Sequence, residues 1–232
     1  MPGKAGSSTG SQTLGRGIRL LEILADAGRS MTIDELAGSL GVHRSVAYRL
    51  LRTLEDHGLI AREATGRIML GAGLAALAAG VSHDLQQAAL PELKAAANEL
   101  GMTCLLVVAH DGAEAVTLIS AAPQQSVAVA YRPGHRHPLT RGAPGKAILL
   151  ERDDKLWPAD LREELTLAGT RGFATSHGEV VPSLWSVAVP LMIPGQPDAS
   201  IAAIHVSLPR SEPEIAERLG TAAKAIARAL GG

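Results

Sequence analysis

Residues 32–70 constrain this chain more than any other stretch, because they spell two short amphipathic helices, a tight turn and a hairpin in close succession. Thr32 stands three residues before Glu35. In that capping-box spacing each side chain satisfies an orphan backbone N–H at a helix start. Gly41 ends the first helix, where a left-handed backbone costs glycine little. The next helix, residues 44–57, repeats Val46, Ala47, Leu50, Leu51 and Leu54 at helical spacing, so one face is made for packing. Its opposite face carries Ser45, Tyr48, Arg49 and Arg52, with Arg44 at the start. Donors and cations so arranged suit base edges and phosphates in the major groove of a duplex.

Gly58 closes this helix, and residues 59–62 and 67–70 then flank 63–66 as a short β-hairpin with Arg62 and Arg67 near its tip. A helix-turn-helix followed by such a wing predicts a winged-helix domain, the two arginines steadying the wing on phosphates. Either half alone also describes an ordinary helical hairpin with a solvated basic face. The two in register favour double-stranded DNA.

A chain of 232 residues has room for one small and one medium domain. Residues 1–70 hold nine Lys/Arg against seven Asp/Glu, and residues 71–232 hold thirteen against sixteen, a split in the direction expected of a DNA-binding domain joined to something else. One Phe, two Tyr and two Trp supply no platform for stacking bases, which argues against single-strand and RNA modules. Cys104 is the only cysteine, so no internal disulfide forms and a reducing compartment is natural. No apolar run approaches the length of a membrane span. Residues 1–12 are Gly/Ser-rich without an apolar core, and read as a flexible tail rather than a signal peptide. The expected location is cytoplasmic, with no membrane partner.

Residues 13–27 read as a bracing helix with Leu14, Ile18, Leu21 and Leu24 on one stripe, completing a DNA-binding domain over 13–70. Residues 71–85, rich in Ala, Leu and Gly, read as one linker helix whose small residues permit close approach of a neighbour. Residues 86–232 suit an α+β domain. A helix over 91–100 is followed by strands at 103–110, 115–121 and 126–131, with Asp111 and Gly112 as a hairpin turn. Short helices follow after Pro144 and near 159–168, then a hairpin of 183–192 and 200–207, and a closing helix over 212–230.

Several stretches carry a family resemblance: YRLLRTL at 48–54 with Gly58 and Leu59, GHRHPL at 134–139 followed by GKA at 145–147, RGFA at 171–174 with Glu179, SVAVP at 186–190, and AAIHVS at 202–207. In this order and spacing, over residues 13–230, the chain resembles the IclR family of bacterial transcription regulators. The resemblance implies an N-terminal winged helix, a linker helix that pairs subunits, and a C-terminal GAF-like domain (an antiparallel sheet with flanking helices) that binds a small effector, commonly an organic or aromatic acid. It implies a non-enzymatic repressor or activator, working as a homodimer or dimer of dimers on a palindromic operator. By motif it places Gly142, Ala143 and Pro144 at the effector, together with Ser176 or His177, Ser186, and His205 with Ser207. Alternation independently puts His205 and Ser207 on one face of a strand. Two alternatives stand beside this reading: a regulator whose second domain only oligomerises, and a GAF-like enzyme with an appended winged helix.

Other motifs point to plainer roles. Residues 142–146, GAPGK, lack the glycine spacing of a phosphate-binding loop, and Ala147 replaces the hydroxyl that would hold magnesium. A better reading is a loop presenting backbone N–H groups at a helix N-terminus, which suits a carboxylate. Lys146 either adds charge there or points to solvent. His135 and His137 have no companion Cys or acid cluster, so solvated histidines are preferred to a metal site. Cys104 sits within an apolar strand without a neighbouring cation, the setting of an inert thiol. Ser176, His177 and Glu179 are too close in sequence to be read as a catalytic triad. No cofactor is expected.

Overall fold

The computed structural model describes residues 10–125 and 128–231, and the chain divides after Val81 into two compact units. Most of the expected tail, residues 1–9, lies outside the described residues.

In the first unit α1 (Gln12–Ala27), α2 (Ile33–Leu40) and α3 (Arg44–Asp56) precede the hairpin β1 (Ile60–Arg62) and β2 (Ile68–Leu70). The capping box forms as its spacing predicts: Thr32 Oγ1 accepts from the Glu35 N–H at 3.2 Å, and Glu35 Oε2 accepts from the Thr32 N–H at 2.7 Å. Leu20, Leu24, Leu36, Leu50, Leu51, Ile60 and Ile68 make the core. Met31 pairs with Ile68 through two backbone hydrogen bonds of 2.7 and 2.8 Å, so the wing is tied to the entry of α2. The packing stripe of α1 differs from expectation. Gly17, Leu20 and Leu24 are buried, while Leu14 and Ile18 are 64% and 49% exposed. The helix carries two overlapping apolar stripes, and the one meeting α2 and α3 is the one that takes glycine and leucine inward.

The expected linker helix over 71–85 is two pieces. α4 runs only from Gly73 to Ala78, Ser82 adopts a left-handed backbone with φ 47°, and α5 (His83–Leu100) begins anew. Leu85 is fully buried in the core of the second unit. At its start α4 is clamped to the end of α3: the Gly73 N–H donates to the Gly58 carbonyl at 3.0 Å. A Cβ on Gly71 would stand 2.2 Å from that same oxygen, so the approach requires glycine.

The second unit is a six-stranded antiparallel sheet in the order β5-β4-β3-β8-β7-β6. Its strands are β3 (Thr103–His110), β4 (Glu114–Ala121), β5 (Arg136–Pro138), β6 (Ala174–His177), β7 (Trp185–Leu191) and β8 (Ala199–His205). On one face α5 and α8 (Glu212–Ala229) cover Cys104, Leu106, Val187, Val189, Ile201 and Ala203. On the other, α6 (Gly142–Leu149) and α7 (Arg162–Arg171) cover Leu105, Val107, Ala188, Ala202 and Ile204. Because successive strand residues face opposite ways, and both faces are covered, β3 is apolar from Cys104 to Ala109. α5 starts at His83 rather than Pro91; a stripe from Leu85 through Leu93 to Leu100 is buried across the proline, and this packing carries the helix through it. The strand expected over 126–131 falls partly outside the described residues; 128–131 are not in a strand, and Arg136–Pro138 pairs with β4 instead.

Candidate nucleic-acid interface and ligand pocket

α3 begins at an uncommon cap. His43 Nδ1 accepts from the Ser45 N–H at 3.4 Å and lies 2.9 Å from Ser45 Oγ, so Ser45 is engaged at the helix entrance. Arg44 pairs with Asp34 of α2 at a site where both side chains are exposed, an interaction worth little in water. Tyr48 is about half exposed, and Arg49 and Arg52 are exposed with no side-chain ion pair or hydrogen bond among the described residues. A shallow groove between α1 and α3 is lined by Arg49, Val46 and Thr53 from α3, and by Thr13 and Arg16 from α1. Arg16 thus extends the cationic side, which the reading of α3 alone missed.

The wing arginines behave differently. Arg62 Nε donates to both carboxylate oxygens of Glu55 in the last turn of α3, at 3.0 and 2.9 Å. Arg67 donates to the Ser30 carbonyl at 2.7 Å and reaches Glu35 Oε2 at 3.3 Å. Both are half-buried braces between wing and helices, rather than free cations at a hairpin tip. The Met31–Ile68 pairing accounts for this, because it carries Arg67 to the capping box. Glu35 is held at about 2, chiefly by the Thr32 N–H and then by Arg29.

In the second unit the sheet register sorts the expected effector residues. Ser176 pairs with Ser186, and Ser186 with Ile204; this row faces α6. His177 pairs with Trp185, and Trp185 with His205; that row faces the opposite side. His177 stacks on Trp185 with ring centroids 4.1 Å apart. His205 Nδ1 is tied to Ser207 in a turn beyond the strand end. His177, His205 and Ser207 are therefore not brought to the pocket. The strand ends at His205, so Ser207 does not share a strand face with it, and along β8 the other parity, represented by Ile204, faces α6.

Beside α6 lies a cavity of about 30 Å³, room for about one or two waters. Gly142, Pro144, Ser176 and Ser186 line it, joined by Leu105, Tyr131, Val180, Val181, Leu184 and Ile204, which sequence reading did not single out, and by His137 and Glu179, which it named without placing them at an effector. Ala143 takes part through its backbone, donating to Ser176 Oγ at 2.9 Å. The Gly142 N–H donates to Glu179 Oε2 at 2.8 Å. Lys146, 2% exposed, donates to Glu179 Oε1 at 2.6 Å and Glu164 Oε1 at 2.7 Å, so it neither points to solvent nor stands free for a ligand. The helix N-terminus expected to receive a ligand carboxylate holds the chain's own. The Ser186 hydroxyl is buried and has no hydrogen-bond partner among the described residues. The Tyr131 hydroxyl, pushed up to about 12 by burial, lies 2.8 Å from His135 Nδ1. Burial also holds the His137 ring below its usual range, and its Nδ1 lies 3.0 Å from the Pro138 carbonyl. Burial pushes the Cys104 thiol up to about 12, away from reactivity. Among the described residues no helix is long and apolar enough to cross a membrane, and no three His, Cys, Asp or Glu side chains are grouped to hold a metal.

A winged helix with bare cations on α3, joined to an antiparallel sheet flanked by helices, defines a DNA-binding transcription regulator. Residues 13–64 match the IclR helix-turn-helix domain. The chain is 30% identical over 200 residues to the glycerol operon regulatory protein of Streptomyces griseus, covering 78% of each. It is similar in structure to an IclR transcriptional regulator from Alicyclobacillus acidocaldarius, at 26% identity and TM-score 0.83, over 96% of this chain and 100% of that one. An IclR homologue from Microbacterium hydrocarbonoxydans, solved in complex with 4-hydroxybenzoate, has the same fold, with 22% identity and TM-score 0.82 over 94% and 99% of the two chains. The chain belongs to the IclR family of transcriptional regulators, and its relatives are named as regulators, not enzymes.

Proposed function

We propose that this regulator reads an inverted-repeat operator as a homodimer or dimer of dimers, and that a small effector bound beside α6 controls it. The observation that carries the first part is the exposure of Arg49 and Arg52 without side-chain partners among the described residues, on the face of α3 that also presents Tyr48 and Ser45. These side chains enter the major groove, while Arg16 meets the flanking phosphates. Arg44 leaves its weak surface pair with Asp34 at little cost to join them. Arg62 and Arg67 set the angle of the wing and leave phosphate contact to its backbone and tip. Selection of binding sites from randomised duplexes tests this reading. An inverted repeat should emerge, with half-sites about 10 base pairs apart or a multiple of that. Recovery of unenriched sequence would contradict it.

The effector part is supported by the cavity against α6, by the buried Ser186 hydroxyl that faces it unpartnered, and by a same-fold relative that holds a small organic ligand. Gly142, Ala143, Pro144, Ser176 and Ser186 form the ligand side of the pocket. A ligand that binds only the folded protein raises its melting temperature. A panel of small organic molecules should therefore contain at least one that shifts melting and alters operator affinity.

A further inference from the structure

We infer that the pocket beside α6 selects a small uncharged ligand bearing hydroxyl groups, and excludes carboxylates, because the chain's own Glu179 already fills the anion position. The inference rests on the effector reading above and narrows it to a chemical class. A carboxylate recognised at a helix start needs free N–H donors or a cation. Here the Gly142 N–H is taken by Glu179, the Ala143 N–H by Ser176, and both accessible carboxylates around Lys146 hold its ammonium. Lys146 carries one positive charge between two negative ones, so the cluster is anionic as a whole. Glu179 itself lines the cavity. An incoming carboxylate would meet a like charge at short range in a partly desolvated site, and the cation at the helix start, Arg141, is exposed and bonded to the Glu179 carbonyl rather than lining the cavity.

The remaining polar surface favours a different guest. Glu179 and Ser176 offer oxygen lone pairs, and the buried Ser186 hydroxyl both donates and accepts. A ligand hydroxyl can donate to the first two and exchange a hydrogen bond with the third. Leu105, Val180 and Ile204 cover the carbon skeleton. The small cavity limits the guest to a few heavy atoms unless the wall at Val180 and Val181 yields.

Matched pairs test the class directly: glycerol against glycerate, propane-1,2-diol against lactate, and ethane-1,2-diol against glycolate, each titrated calorimetrically into the full-length protein at millimolar concentration. At least one neutral member should bind, tighter than its acid by on the order of tenfold or more. Ser186→Ala should abolish that binding, which separates occupancy of the pocket from general polyol effects on stability. Glu179→Gln, by removing the like charge, should narrow the gap between neutral and acid by a similar factor. If an acid binds wild-type protein more tightly than its neutral partner, the inference is overturned while the effector reading survives. If no member of any pair binds, or binding persists unchanged in Ser186→Ala, the pocket itself is not the site and both fall. Should Glu179→Gln fail to fold, the wild-type pairs and Ser186→Ala still decide.

Discussion

The exposed side of α3 and the buried start of α6 spend their cations in opposite ways. Arg49 and Arg52 reach solvent with no carboxylate in contact among the described residues, whereas Lys146 is sealed inside and held by two. The wing lies between these extremes: Arg62 and Arg67 look basic in sequence, yet Glu55 and Glu35 neutralise them. A cation is available to a partner when the fold leaves it without an acid, or pairs it only at the open surface as with Arg44 and Asp34. On the proposed function, that distinction separates the residues offered to DNA from those that hold the protein together.

The largest effect expected from this contrast is at Lys146. Lys146→Met should leave Glu164 and Glu179 without their shared partner and lower stability by about 3 kcal/mol in urea unfolding. An unchanged midpoint would show that the ion cluster contributes nothing. A smaller effect belongs to the wing: Arg67→Ala should lower stability by about 1 kcal/mol through lost bonds to Ser30 and Glu35, without altering the salt dependence of DNA affinity. Arg52→Ala should do the reverse, leaving stability within about 0.5 kcal/mol while reducing the salt slope by about 1. If both substitutions moved the same quantity, the contrast between brace and contact would fail. The subtlest effect is in pH. Glu35 is depressed from 4.5 to about 2 in the folded state, so the stability it supplies is complete above 4.5 and lost as pH falls through 2. Glu35→Gln should therefore flatten part of the acid-side decline in stability, and an identical decline in both proteins would remove the carboxylate from the cap.

The parts of this molecule that were legible in sequence are those whose signals are local. The capping box at Thr32 and Glu35, the Gly41 turn and the packing face of α3 need only neighbours a few residues away. Of the stripe expected on α1, Leu24 is buried but Leu14 and Ile18 are exposed; Leu20 lies four residues before Leu24 and competes with them at the same period, and only contact with α2 and α3 chooses between them. The break between α4 and α5 has no strong sequence signal, since Ala and Gly at 75–80 continue a helix as readily as they end one. β8 is apolar on both faces, so its alternation could not say which parity looks towards α6, and His205 was placed there in error. Glu179 lies 37 residues from Gly142, and nothing nearby in sequence marks it as the acid that fills the α6 N-terminus.

The central claim is that the bare side of α3 is the surface that touches DNA. Gel-shift titration at fixed salt, on whichever operator the selection yields, should show Arg49→Ala binding more weakly by about 1–3 kcal/mol, with relaxed preference at one base position. Wild-type affinity and specificity in Arg49→Ala, with the variant fully folded, would contradict it.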